Sequence, residues 1–201
     1  MSLVDLYNEM KAEHSHQEGF TDKGEPYHTY IEFYESYFAP YKDNVSICEI
    51  GVNHGGSLAL WKRYFKKYNM LGVDLASNPI EGKPYVDTLT TDKNIKLLFG
   101  KSSAEPSVAS QVEDYSFDFL IDDGSHEMSI QLDTFKVWAK KVKKGGVYFI
   151  EDIFHPALLE PMAQDITNWC KQNNIEVKVT AYTGNPEKVK RIDDLILVVN
   201  L

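Results

Sequence analysis

Apolar residues follow two regimes along the chain: helical spacing before residue 40, then short strand-like runs alternating with helical stripes after residue 45. Leu3, Leu6, Tyr7 and Met10 recur at the spacing of one helix face and predict a first helix. Tyr27, Tyr30, Ile31, Tyr34, Tyr37 and Phe38 predict a second, ended by Pro40, which lacks the amide a helix interior needs. Between them Gly19-Phe20-Thr21-Asp22-Lys23-Gly24 is polar and glycine-flanked, hence a loop. The tyrosine-rich stripe is expected to pack on a core; a lid over a pocket is the sharper alternative.

Beyond residue 45 the segments 45–50, 70–73, 95–99, 117–121 and 147–150 read as buried strands. Helical stripes lie between them. One is Leu58, Trp61, Tyr64, Phe65 and Tyr68, and a short helix is expected over 104–112. Another is Met128, Leu132, Phe135, Trp138 and Val142, which the pair Gly145-Gly146 is expected to close. Leu159, Met162, Ile166, Trp169 and Cys170 form the last. Two strands, 175–180 and 195–199, then follow with no helix between them. Strands separated by helices imply a doubly wound α/β fold, with a mostly parallel seven-stranded sheet and an antiparallel C-terminal hairpin. Residues 1–44 are expected to form a helical lid or extension, and 45–201 the core of one compact unit.

Composition narrows the partners. The chain has 201 residues, with 21 Lys+Arg against 30 Asp+Glu and a formal net charge of −9. Such a chain is long enough to bury a core, and its acidity disfavours nucleic acid and anionic membranes. The lysines 136, 140, 141, 143 and 144 are read as a solvated helix end. Cys48 and Cys170 each lie in an apolar segment and are read as buried thiols of a reducing, cytoplasmic compartment. The N-terminus lacks the pattern of a signal peptide, and no run is long and apolar enough to span a membrane.

Open α/β sheets bind ligands beyond the carboxyl ends of their strands, and unusual chemistry concentrates there in this sequence. The first strand runs into Glu49-Ile50-Gly51-Val52-Asn53-His54-Gly55-Gly56-Ser57, a turn whose glycines let the backbone approach a ligand before a helix begins. Asp74 ends the second strand, close to the offset at which an acid meets ribose hydroxyls. Asp122-Asp123-Gly124-Ser125-His126 and Glu151-Asp152 end two strands expected to be neighbours. Carboxylates converging there repel one another unless a cation intervenes, and oxygen donors without cysteine point to Mg²⁺, Mn²⁺ or Ca²⁺. Helix capping would account for one acid at each strand end, but not for the doubled ones. His126 has a reference pKa suited to a general base. His14, His16, His28, His54 and His155 have weaker cases.

These motifs carry a resemblance. Glu49 to Gly56, Asp74, Asp123-Gly-Ser-His126 and Gly145-Gly-Val-Tyr-Phe-Ile-Glu-Asp152 look like class I S-adenosylmethionine-dependent methyltransferases. The closer likeness is to metal-dependent sugar O-methyltransferases of the macrolide and rhamnosyl-glycan type. Thr21-Asp22-Lys23-Gly24 followed by Tyr30 and Tyr34 resembles the segment before the core in that family. The resemblance implies a Rossmann-like methyltransferase fold with S-adenosyl-L-methionine and Mg²⁺ (or Mn²⁺) as cofactors. It implies cofactor contacts at Thr21, Lys23, Glu49, Gly51, Asn53, Gly55, Ser57, Asp74, Leu75, Ser102 and Asp122. It further implies metal ligands Asp123, Glu151 and Asp152, with His126 as the base.

The expected reaction is methyl transfer to a sugar hydroxyl of a glycan or glycosylated metabolite, with the first two helices and the 182–191 loop covering the acceptor. A catechol-type methyltransferase, a nicotinamide dehydrogenase and a non-catalytic cofactor-binding protein are the rival readings. A homodimer is left open.

Overall fold

Seven strands carry the fold: β1 (Val45–Ile50), β2 (Tyr68–Asp74), β3 (Ile95–Phe99), β4 (Phe117–Asp122), β5 (Val142–Ile150), β6 (Lys178–Thr183) and β7 (Leu195–Asn200). They form one sheet of order β3-β2-β1-β4-β5-β7-β6. β1 to β5 pair in parallel, whereas β7 runs antiparallel to both β5 and β6. The expected doubly wound sheet with an antiparallel C-terminal hairpin is thus the one observed. The structure, a computed structural model, describes residues 1–13, 20–78, 80–83 and 85–201. His14, His16 and Gly19 lie outside the described residues.

The two faces of the sheet bury separate cores. On one face α1 (Leu3–Glu13), α2 (Tyr30–Phe38) and α3 (Gly56–Tyr64) join Ile47, Phe119, Phe149 and Val198 of the strands. Tyr30, Tyr34 and Phe38 of the tyrosine-rich stripe are buried there, and Phe38 packs edge-on against Trp61 with ring centroids 5.1 Å apart. On the other face α5 (Pro106–Ala109), α6 (Met128–Trp138) and α7 (Leu159–Gln172) cover Cys48, Leu120, Tyr148 and Leu197. A short helix α4 (Val86–Thr90) precedes β3. Each large apolar side chain removed from water in this way contributes roughly 1.5–3 kcal/mol. Both cysteines are free and buried. Among the described residues no helix is long and apolar enough to cross a membrane.

Local expectations fail where an aromatic or glycine signal has two readings. Tyr68 fits the helical stripe by spacing, yet it begins β2, because α3 stops at Tyr64 and Phe65 is already extended. Val142 likewise opens β5 rather than ending α6, which gives way at Ala139–Lys141 to a 3₁₀ turn. Gly145-Gly146 therefore sits inside β5, not at a helix end. Phe117 pairs with Val142 but Phe119 with Val147, so extra residues loop out of the ladder there, and Gly145 takes a φ of 80°. The lysines beyond α6 do not form one solvated helix end either. Lys141 is buried and donates to Asp114 at 2.6 Å, and Lys143 pairs with Asp118 at 2.8 Å from within the strand.

Candidate active site

The loop between β1 and α3 is closed by backbone geometry. Gly51 has a φ of 87°, and a Cβ there would stand 1.9 Å from the Asp123 carbonyl oxygen, so a side chain cannot fit between the ends of β1 and β4. The Val52 and Asn53 N–H groups donate to Asp74 Oδ2 at 2.8 and 3.0 Å, and that of Ala76 to Oδ1 at 2.8 Å. Asp74 thereby ties the glycine loop to the end of β2. Glu49 is buried and accepts from Ser57 Oγ at 2.6 Å and from Trp61 Nε1 at 3.1 Å. Burial pushes its carboxyl above the usual range.

A cavity of about 560 Å³ opens over this loop, lined among others by Asn53, Asp74, Leu75, Ser102, Asp123 and His126. A cleft of about 60 Å³ beside it shares Gly51 and Asn53 with it and adds Thr21 and Ser57. Most of the expected cofactor contacts therefore line these two adjoining hollows. Gly55 stands back from the lining as the left-handed cap residue before α3. Glu49, Lys23 and Asp122 lie beneath the hollow instead of on its wall. Asp122 accepts from the Tyr148 hydroxyl at 3.2 Å, and burial pushes its carboxyl up to about 7.

The acids at the ends of β4 and β5 converge at one edge of the cavity. Asp152 is buried with a φ of 53°, a left-handed conformation that a non-glycine residue adopts at a cost. Its Oδ1 accepts from the Tyr30 hydroxyl at 2.8 Å. Burial, and then the nearby Asp123 charge, raise its carboxyl to about 6. His126 Nε2 is 3.7 Å from both Asp123 Oδ1 and Asp152 Oδ2. The Asp123 carboxylate, against partial burial, holds that imidazole above its ordinary range. Burial also acts to raise Asp123, but Lys23 and His126 outweigh it and hold the carboxyl low.

Glu151 points the other way, into the protein. It accepts from the Tyr34 hydroxyl and from Lys23 Nζ at 2.7 Å, and burial raises its carboxyl well above the usual range. Sequence reasoning placed Tyr30 and Tyr34 in an apolar stripe and in the segment resembling the family's pre-core region, without a role for their hydroxyls, which reach the site carboxylates. It also passed over Asp194, which is buried and accepts from both the amide and the hydroxyl of Thr29, at 3.0 and 2.8 Å. Those two bonds pin the segment before α2 to the start of β7. An acid flanked by Asp193 and a strand was the available signal. Among the remaining histidines, buried His28 stacks on Tyr30 with Nδ1 3.5 Å from Asp152 Oδ1, and His155 accepts the Ala157 N–H at 3.1 Å.

Asp123, His126 and Asp152 each offer a ligand atom, all within 4.8 Å of one another. The two carboxylates, drawn together although they repel, fit a hard divalent cation, and the His126 imidazole stands beside them.

The fold and this site define an α/β domain of the methyltransferase class. The profile of the methyltransferase domain family matches residues 48–153, more than half of the chain, and the chain belongs to that family. It is 34% identical, over 63% of its length, to the 8-demethyl-8-alpha-L-rhamnosyl tetracenomycin-C 2'-O-methyltransferase of Streptomyces olivaceus, covering 33% of that protein. It is 31% identical, over 67% of its length, to the mycinamicin VI 2''-O-methyltransferase of Micromonospora griseorubida, covering 34% of it. The chain thus spans about a third of the length of these curated relatives. A solved methyltransferase of the mycinamycin biosynthetic pathway, in complex with Mg, SAH and mycinamycin VI, superposes with a TM-score of 0.58. That match is 26% identical and covers 77% of this chain and 38% of that one.

Proposed function

We propose that this chain transfers the methyl group of S-adenosylmethionine to a hydroxyl of a sugar-bearing acceptor, with Mg²⁺ held at the strand-end carboxylates. The observation that carries this reading is the cluster of Asp123, His126 and Asp152 on the edge of the hollow bounded by Gly51 and Asp74. The O-methyltransferase names of the relatives and the Mg and SAH of the solved neighbour agree with it.

The residues divide the work. Gly51, Asn53 and Ser57 hold the methionine end of the donor, Asp74 its ribose, and Thr21, Leu75 and Ser102 close the walls around it. Asp123 and Asp152 would hold the ion with carboxylate oxygens, and Glu151 stands behind them, bonded by Lys23 and Tyr34. A divalent ion there would lower the pKa of an acceptor hydroxyl and fix its direction. His126, half exposed at the rim, receives the hydroxyl proton at Nε2. Tyr30 and Tyr34 hold Asp152 and Glu151, just beyond β5, in place through their hydroxyls, and α1 and α2 serve as the helical extension that closes this side of the acceptor site.

Incubation with labelled donor, rhamnosylated acceptors, flat phenolic acceptors and Mg²⁺ tests the reading. Labelled sugar product that disappears with EDTA is expected. Turnover unaffected by EDTA would remove the ion, and methylation of the phenols alone would replace the acceptor class.

A further inference from the structure

Lys23 is almost wholly removed from solvent, at 1% exposure, yet its ammonium meets acids at the ends of three different strands. Nζ lies 2.7 Å from Asp123 Oδ2 on the β4 side, 2.7 Å from Glu151 Oε2 beyond β5, and 3.5 Å from Glu49 Oε1 of β1. The lysine is held at its base as well. Its N–H donates to Thr21 Oγ1 at 3.2 Å, and its carbonyl accepts from the Tyr30 N–H at 3.0 Å, so the turn before α2 fixes where the side chain can reach. Three carboxylates this close in a dry interior repel one another strongly, and a buried ammonium offsets that repulsion only where it meets each of them directly. The oxygens are divided in a way that matters. Asp123 gives Oδ2 to Lys23 and turns Oδ1 toward His126, so ammonium and ion can use different oxygens of one carboxylate.

We propose that Lys23 is a positioning residue. It is a tethered cation that lets Glu49, Asp123 and Glu151 converge before a divalent ion arrives, and that keeps the ion's affinity down once it is bound. The proposal rests on the divalent-ion reading of the site. It makes the folded protein independent of its ion and the ion exchangeable. It also gives a buried lysine in the loop before α2 a role toward the metal and not toward the donor.

The test compares wild type with Lys23→Met, Lys23→Arg, Glu151→Gln and Lys23→Met/Glu151→Gln, by thermal unfolding in EDTA and in saturating MgCl₂, and by Mn²⁺ titration followed by electron paramagnetic resonance. Wild type should melt at nearly the same temperature in both conditions. Lys23→Met should melt about 10 °C lower in EDTA and regain most of that loss with Mg²⁺. Its Mn²⁺ affinity should rise about tenfold. Lys23→Arg should keep wild-type values for both, and the double variant should regain stability in EDTA because one of the uncompensated acids is gone.

Equal destabilisation of Lys23→Met with and without Mg²⁺, or Mn²⁺ affinity unchanged or weaker, overturns the proposal. If Lys23→Met does not fold, the double variant carries the test: it must bind Mn²⁺ more tightly than Glu151→Gln alone. If wild type binds no Mn²⁺, the ion reading of the site falls. The EDTA melts of Lys23→Met and the double variant then decide by themselves whether Lys23 neutralises the acids.

Discussion

The hydroxyl of Tyr30 stands 2.8 Å from Asp152 Oδ1 and accepts the Leu195 N–H at 3.1 Å, so one phenol links α2 to the end of β5 and the start of β7. Tyr30→Phe removes both bonds while keeping the ring. A buried carboxylate and a buried amide each lose a partner, and the expected cost is about 1–3 kcal/mol. Urea denaturation checks it; a variant as stable as wild type would show that the hydroxyl contributes nothing.

Gly51→Ala tests the closure of the glycine loop. The added Cβ would meet the Asp123 carbonyl at 1.9 Å from a φ of 87°, so the loop must move away from β4. A stability loss of about 3 kcal/mol is expected, with binding of S-adenosylhomocysteine abolished in calorimetry. Retained affinity would mean that the donor does not lie against this turn.

Asp74→Asn keeps the size of the side chain but replaces one carboxylate oxygen by an amide. Oδ2 serves two loop amides and Oδ1 a third, so the substitution leaves at least one N–H facing an N–H. Affinity for S-adenosylhomocysteine should fall about tenfold or more while the melting temperature drops only slightly. Unchanged affinity would sink the ribose assignment.

His126 sets a pH dependence. Only the neutral imidazole accepts a proton, so kcat should fall as pH drops through its pKa, which the Asp123 carboxylate holds above the ordinary range. A divalent ion at the same carboxylates works against them. The His126 resonance followed by NMR should therefore titrate above pH 6.5 in EDTA and shift downward with Mg²⁺. His126→Ala should lose about 10²-fold or more in kcat together with the acid limb. An acid limb that survives in this variant would assign the base elsewhere.

The sheet was legible because its strands are short, nearly continuous apolar runs. Residues 95–99 and 45–50 match the observed β3 and β1. Boundaries failed where spacing alone had to choose, as at Tyr68, an aromatic that suits either element, and at Gly145, whose left-handed backbone serves a strand irregularity as well as it would a helix end. The acids at the strand ends were readable because ligand sites in such sheets gather there. What could not be read was direction. The resemblance set Lys23 toward the cofactor, and a tyrosine in an apolar stripe looks like core. Only packing shows that Lys23 turns inward to Glu151 and that Tyr34 carries its hydroxyl to the same carboxylate.

The family match begins at residue 48, yet the acids inside it are answered from outside it: Lys23, Tyr30 and Tyr34 all precede that boundary. The segment from 20 to 38 is therefore half of a charge balance whose other half lies at the ends of β1, β4 and β5. A graft or truncation drawn at the family boundary would carry the acids without the groups that hold them together. In exchanges between relatives, these two stretches should travel as a pair, and a change in one should call for a matching change in the other.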